Sequence, residues 1–422
     1  MQRGLDRLGR ALLGAIASAA LIGSASAAER LTLLVPNNPA FLQPAIDAFN
    51  AANPDLEVVQ ESVPFDTYSD ILQTRMSTHD SSLDLLVVDQ PRSAAYSARG
   101  FLVDLTADYL PEAKGKLFDA AIAASIVNGK LWSGAFWESS NNLWYNKTLL
   151  DQAGVAAPPN DTGQRWTWEQ LVAAAKQVQA KTGAPCGILF DQTDRYYQLQ
   201  PLIESAGGGT GLTGEGNLTV NIENDGWIKA MTFYQDLFKD GVTPPSVDAD
   251  QARPYFVGGK CAFFVGISIV AGQLDGSFAY GIAPMPYFEG GEPVTPNAAN
   301  ALGISSLSTK KDAAMRFLKF LTLDAVGNGL AVSVVPLPAA NIEAQKREFA
   351  DLEAKSAALK GLGALIEYEL SHTARARPET IGYTQFEAAF LRAAGDIRNG
   401  TDVKQALATM RVELEAAFQQ LQ

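Results

Sequence analysis

The chain has 422 residues, with 46 acidic against 33 basic side chains and a formal net charge of -13. So acidic a balance excludes a nucleic-acid partner, whose phosphates select basic surfaces. With only Cys186, Cys261, His79 and His372 to draw on, a disulfide-dense scaffold and a zinc site of several thiolates are excluded too.

Arg3, Arg7 and Arg10 precede an apolar run over residues 11–22 and the small-residue site Ala25-Ser26-Ala27. This order predicts a signal peptide over 1–27, too short to span a membrane. No cysteine sits at the cleavage point, so a soluble periplasmic protein is expected rather than a lipoprotein. The leader holds three arginines and one aspartate, and its removal takes the formal charge to -15. The length that remains exceeds what one core usually supports, which predicts two domains, and no later apolar run reaches membrane-spanning length. An oxidising compartment permits either one bridge between Cys186 and Cys261 or two separately buried thiols.

Residues 31–35 (LTLLV) read as a buried strand stopped by Pro36 and Pro39, followed by a helical pattern over 41–50. A strand over 56–63, a helix over 68–77, an apolar strand over 83–88 and a helix over 93–99 continue the rhythm. Alternation of this kind predicts an α/β fold with a mostly parallel sheet and helices on both faces. Ligands in such sheets bind outside the carboxyl ends of the strands. That assigns Asn38, Phe65, Asp66, Tyr68, Asp89, Gln90 and Arg92 to one rim.

The stretch FWESSNNLWYNK, residues 136–147, then packs four aromatic rings around one carboxylate and three amides. Its second half, Leu143 to Tyr145, reads as a core strand, and Trp137 and Glu138 as cleft residues. A second strand–helix series follows: a helix capped by Thr167 and running to Lys181, a strand over 186–190, a helix over 197–206, a glycine-rich loop over 207–216 and a helix over 225–239. Strands over 261–265 and 280–284, a strand-like stretch over 299–307 and a helix over 313–323 come next. The last segments, 360–370, 384–399 and 403–421, are helical. No repeat of fixed period is visible.

Catalytic templates do not fit. Neither histidine has metal-ligand spacing, and both read as surface residues. The glycines at 207–211 and 258–259 lack the lysine and hydroxyl ending of a phosphate loop and read as turns. What recurs at strand ends is an aromatic ring beside a carboxylate, amide or guanidinium: Phe65-Asp66 with Tyr68, Asp89-Gln90 with Arg92, Trp137-Glu138, and Arg195 with Tyr196 and Tyr197. A sugar needs both, because its C–H face stacks on rings while its hydroxyls need donors and acceptors together. Two adjacent tyrosines also suit a ferric ion, but no accompanying histidine or anion site is evident.

Four segments resemble one family. NNLWYNKTLLDQAGV (141–155) is similar to a crossing strand with Tyr-Asn-Lys and Ala-Gly, and RWTWEQLVAAAKQV (165–178) to a Thr-Trp-acid-Glu helix start. YFVGGKCAFFVG (255–266) is similar to a Phe-x-x-Gly-Lys-x-Ala-Met signature with Phe263 in place of methionine, and YGIAPMPYFEGG (280–291) to a Tyr-Gly stretch before the chain returns to its first half. Together they resemble the extracellular solute-binding proteins of ABC importers, in the group that includes maltose- and other sugar-binding proteins.

That resemblance implies a type II periplasmic binding protein fold: two α/β lobes, each a central mostly parallel sheet flanked by helices, with the ligand cleft between them. It implies lobe one at 28–138 plus 299–335, lobe two at 139–298 plus 340–422, and hinge crossings near 138–139, 297–301 and 336–339. Asp89 and Arg92 lie near the family's cleft Asp-Arg pair, Glu138 near a hinge-proximal carboxylate, and Tyr196 or Tyr197 at an aromatic platform. Gly266 opens a segment where some relatives carry a stacking tryptophan and this chain has none. Asn300 falls at the second crossing, and Arg377 with Tyr383 in a stretch that reaches the cleft.

The expected function is capture of a sugar or related polyol by hinge closure and delivery to membrane permease subunits. No catalysis, cofactor or metal is expected, and the protein should be a monomer. The alternatives are a secreted carbohydrate-active enzyme, and the same fold binding a phosphorylated polyol through Arg92, Arg195 and Arg377.

Overall fold

The computed structural model describes residues 28–36, 40–334 and 337–421, so the expected leader lies outside the described residues. Two sheets organise the chain. The first runs in the order Leu56–Val63, Glu29–Pro36, Leu85–Asp89, Ala298–Ile304, Gly134–Ser139. The second runs Tyr280–Ala283, Asn141–Asn146, Cys261–Ile267, Cys186–Phe190.

The strand–helix rhythm of the N-terminal hundred residues builds the parallel part of the first sheet, where Glu29–Pro36 lies between Leu56–Val63 and Leu85–Asp89. Leu31, Leu33, Leu34 and Val35 are all sealed from solvent, as a strand with helices on both faces requires. The sheets are nevertheless mixed rather than mostly parallel. Ala298–Ile304 runs antiparallel to both of its neighbours, and so does Asn141–Asn146. The cause is the connectivity: strands that bring the chain from one sheet to the other arrive against the direction set by the βαβ units, which parallel pairing requires to be joined by crossovers.

Only Ser140 separates Gly134–Ser139 of the first sheet from Asn141–Asn146 of the second. The chain comes back through Asn297, between the short strand Thr295–Pro296 and Ala298–Ile304. It passes a third time near Ala339, which bridges Trp137 in the first sheet before helix Ile342–Lys355 begins; Pro336, expected at this passage, lies outside the described residues.

Each sheet has its own core. Leu33, Leu86, Phe136, Leu302 and Phe317 belong to the first. One face of the second sheet packs Leu143, Phe190 and Phe263 against helices Trp168–Thr182, Tyr196–Ser205, Asp225–Lys239 and Tyr383–Arg398. Its other face packs Trp144, Phe264 and Ile282 against helices that include Ile342–Lys355 and Leu362–His372. Burying a side chain such as Leu143 or Phe264 contributes about 1.5–3 kcal/mol. The indole of Trp144 also donates to the Gly266 carbonyl at 3.1 Å, so its one polar atom is satisfied inside the core.

Local signals place the helix ends. Thr167 caps helix Trp168–Thr182 in a reciprocal box with Gln170, and Asn146 caps Lys147–Ala153, which Gly154 closes at φ 66°. Helices Ala249–Val257, Ala325–Ala331 and Ile342–Lys355 were not legible from periodicity. The last buries only Ala344, Gln345, Phe349 and Leu352 among its fourteen residues, too sparse an apolar stripe to stand out.

Cys186 and Cys261 form a disulfide between directly opposed residues of adjacent parallel strands. Closing a loop across 75 residues removes unfolded-state freedom worth ~4 kcal/mol in the chain-entropy account. His79 and His372 are exposed. No helix among the described residues is long and apolar enough to cross a membrane.

Candidate ligand-binding site

The two sheets meet at the carboxyl end of Leu85–Asp89. This strand buries Leu85 to Val88 and delivers Asp89 to the rim, where the short turn Gln90–Arg92 begins. Arg377 arrives from the other side, two residues after the strand Ala374–Arg375, and grips Asp89 through both terminal nitrogens, with Nη1 to Oδ2 at 3.0 Å. Nη1 also donates to the Tyr383 hydroxyl at 3.2 Å, and the guanidinium plane covers the Tyr197 and Tyr383 rings at 5.4 and 5.7 Å. A second pair runs the other way: Arg92 on the first side meets Glu387 of helix Tyr383–Arg398 at 2.5 Å. The arginine beside it holds the Asp89 carboxyl below its ordinary range despite burial that pushes upward.

The adjacent tyrosines separate, because consecutive helix residues point about 100° apart. Tyr196 turns into the core of the second sheet, against Trp227, Phe386 and Phe390, and its hydroxyl donates to the Thr210 carbonyl at 3.0 Å. Tyr197 turns to the junction. Its hydroxyl donates to Asn141 Oδ1 at 3.2 Å and lies 3.4 Å from Ser139 Oγ. Tyr197, Ile267 and Leu337 form a small apolar cluster against which Trp137 and Ile269 pack.

Glu138 occupies the floor, fully buried. Its Oε1 accepts from Asn297 Nδ2 at 3.0 Å, so a residue of the first passage holds one of the second. Burial pushes its carboxyl up to about 7. Glu348 acts alike at the third passage, accepting the Ala339 N–H at 3.0 Å, and burial pushes it up to about 8.

Around this floor six buried polar atoms find no protein partner: Trp137 Nε1, Glu138 Oε2, Ser140 Oγ, Asn141 Nδ2, Asn297 Oδ1 and Arg377 Nε. Buried polar groups are ordinarily satisfied, so such a concentration at one junction points to a ligand that brings donors and acceptors together. Beside it lies a depression of about 760 Å³ lined by Pro64 from the first side and by Gln192, Arg195 and the Asp191–Arg253 ion pair from the second. A smaller space of about 10 Å³, room for one water, lies between Gln90, Asn297, Arg377 and Glu379.

The structure therefore brings Asp89, Arg92, Trp137, Glu138, Tyr197 and Arg377 of the expected set together. Asn300 stands between Asp89 and Trp137 in the sheet, and Gln90 is turned to the Ala121 carbonyl at 3.1 Å. Tyr68 does not join them: it is buried under the first sheet, its hydroxyl donating to the Val87 carbonyl at 2.6 Å. Tyr196 is likewise a core residue. Gly266 brings no side chain; a Cβ there would come within 2.4 Å of the Phe264 ring, so the glycine serves strand packing. Asn38 lies outside the described residues, as do the side chains of Phe65 and Asp66, which open helix Phe65–Ser77. Glu387 and Glu348 carry no sequence signal, and Asn297 enters the sequence reading only as the first residue of the second crossing. Glu387 lies 295 residues from Arg92 and Asn297 lies 159 from Glu138, while Glu348 is close in sequence to Ala339 but meets only its backbone N–H, which no side-chain pattern marks.

Among the described residues no group of three histidine, cysteine or acidic side chains is placed to hold a metal. The family described as bacterial extracellular solute-binding protein matches residues 35–328. The chain belongs to that family. This solute-binding protein is 25% identical over 322 residues to the mannitol-binding protein of Pseudomonas aeruginosa, covering 73% of this chain and 72% of that relative. It is 28% identical over 176 residues, 39% of each chain, to the sn-glycerol-3-phosphate-binding periplasmic protein UgpB of Rhizobium meliloti. Its fold is that of maltose-bound MalE3 of T. maritima, with a TM-score of 0.78 at 22% identity, covering 92% of this chain and all of that one. The fold class is thus two-lobed α/β, one lobe about each sheet.

Proposed function

We propose that this solute-binding protein is the periplasmic component of an ABC importer that captures a sugar or related polyol between its lobes and presents it to permease subunits. The observation that carries this reading is the set of six unpartnered buried polar atoms on residues of the junction where Trp137 packs against Tyr197. Polar atoms of both kinds beside aromatic faces match the two-sided chemistry of a polyol. Relatives named for mannitol and maltose support the same ligand class. On this reading residues 1–27 are a cleaved signal peptide, and the mature protein is monomeric and performs no covalent chemistry. The lobes are 28–138 with 299–335 and 139–298 with 340–422. They close because the ligand touches both walls at once, Asp89 and Trp137 from one and Tyr197 and Arg377 from the other.

Thermal unfolding of the mature protein against mannitol, other polyols, maltose and longer oligosaccharides tests the reading, since a ligand that binds only the folded state raises the melting temperature. A rise with one class at micromolar concentrations is expected. Release of a cleaved product from any oligosaccharide would overturn the transport reading in favour of an enzyme. Trp137→Ala should weaken the binding so found at least about tenfold with the fold retained, the cost of one lost stacking surface. Unchanged affinity would return Trp137 to the core.

A further inference from the structure

We propose that Asp89 serves as a built-in anion: by filling the fork of Arg377 across the cleft it takes the place of a phosphate and restricts the site to uncharged ligands. The inference rests on the reading of this junction as the ligand site.

Three guanidinium groups act on this carboxylate, one by direct contact and two through their charge. Arg377 grips it directly, and Arg92 and Arg195 add their positive fields. Three converging arginines are the ordinary means of seizing a phosphate or carboxylate, with the planar fork giving bidentate recognition. Here the fork of Arg377 is already engaged by Asp89, and Arg92 is engaged by Glu387. Both pairs are largely withdrawn from water, with side-chain exposures of 6% and 16% for Arg377 and Asp89. A phosphate ester entering between them would face two carboxylates at close range. Like charges in a water-poor site repel strongly, and the cost falls on the charged ligand alone.

The atoms left over suit neutral hydroxyls. They are an indole, a serine hydroxyl, two amide atoms, one carboxyl oxygen and a single guanidinium Nε. The carboxylate thereby converts a potential anion site into a neutral one without removing the arginines, and the plane of Arg377 still covers Tyr197 and Tyr383. Removing the charge of Asp89 alone should expose the latent anion site.

The test uses the mature wild-type protein and Asp89→Asn, with inorganic phosphate, sn-glycerol 3-phosphate, mannitol and maltose as probes, read by thermal unfolding and calorimetry. Wild type should show no phosphate-dependent rise in melting temperature. Asp89→Asn should be stabilised by inorganic phosphate and bind glycerol 3-phosphate at least about tenfold more tightly than wild type does. Adding Arg377→Gln to it should abolish the gain. Micromolar binding of either phosphate by wild type overturns the inference, and that arm holds even where Asp89→Asn fails to fold. A folded Asp89→Asn with no gain overturns it as well. If the phosphate arms behave as stated while neither mannitol nor maltose binds, the assignment of Asp89 stands and the polyol reading loses its support.

Discussion

Two of the buried guanidinium–carboxylate pairs in this protein sit in contrasting places. Arg165 and Glu369 both belong to the body around the second sheet, at 3% and 0% exposure, with paired bonds of 2.7 and 3.1 Å. Glu369 further accepts the Met285 N–H at 3.2 Å and the Thr373 hydroxyl, and Arg165 donates to the Met285 carbonyl at 3.1 Å. The pair of Arg377 and Asp89 instead draws its members from opposite sides of a cleft and leaves Arg377 Nε unpartnered. One pair can separate only if a packed body unfolds. On the proposed function, the other separates as the lobes part, whereupon both charges hydrate. On the proposed closing motion, the same chemistry fastens structure in one place and forms a parting seam in the other.

Breaking the first pair should produce the largest effect on stability. Glu369→Ala leaves Arg165 buried without a counter-charge, and a loss of about 3–5 kcal/mol in denaturant unfolding is expected. A smaller effect would show that water reaches Arg165. Breaking the second should reverse the emphasis. Arg377→Ala is expected to lower ligand affinity at least about tenfold while costing less stability than Glu369→Ala, because Asp89 can hydrate when the lobes part. Equal losses of stability in the two variants would mean that the cleft pair is structural after all.

The most gradual effect, spread over several units of pH, concerns the two acidic groups at the passages. Burial holds the Glu138 and Glu348 carboxyls at about 7 and about 8, above the ordinary 4.5. Between those limits the folded chain keeps protons that the unfolded chain has released. Their contribution to stability is therefore complete below about pH 4.5 and is lost as pH rises through 7 and 8. Glu138→Gln with Glu348→Gln should reduce the decline in stability between about pH 5 and 9 by roughly 1–3 kcal/mol per site. An unaltered decline would mean that both carboxyls ionise freely and that the passages are wet.

Much of the architecture was legible along the chain. The continuous apolar run of Leu31–Val35, the Thr167 cap and the Leu143–Trp144 core strand were readable because period, capping and burial are local properties. The cleft was legible only in part. Asp89, Trp137 and Glu138 announce themselves by standing at strand ends beside polar or aromatic neighbours. Tyr68 satisfied the same criterion and turned inward, since the criterion says nothing about which way a helix is rotated.

The sequence by itself determined the acidic character, the α/β class and most of the segments that build each sheet, because each depends on composition or short-range periodicity, while the two-lobed arrangement was implied by the family resemblance. Only the tertiary structure decided that Tyr197 rather than Tyr196 meets the cleft, that Cys186 and Cys261 are bonded, and that Asp89 is matched with Arg377 and Arg92 with Glu387. Those partners lie 288 and 295 residues apart in the chain. Their meeting depends on how two separately packed bodies are set against each other, which no local pattern encodes.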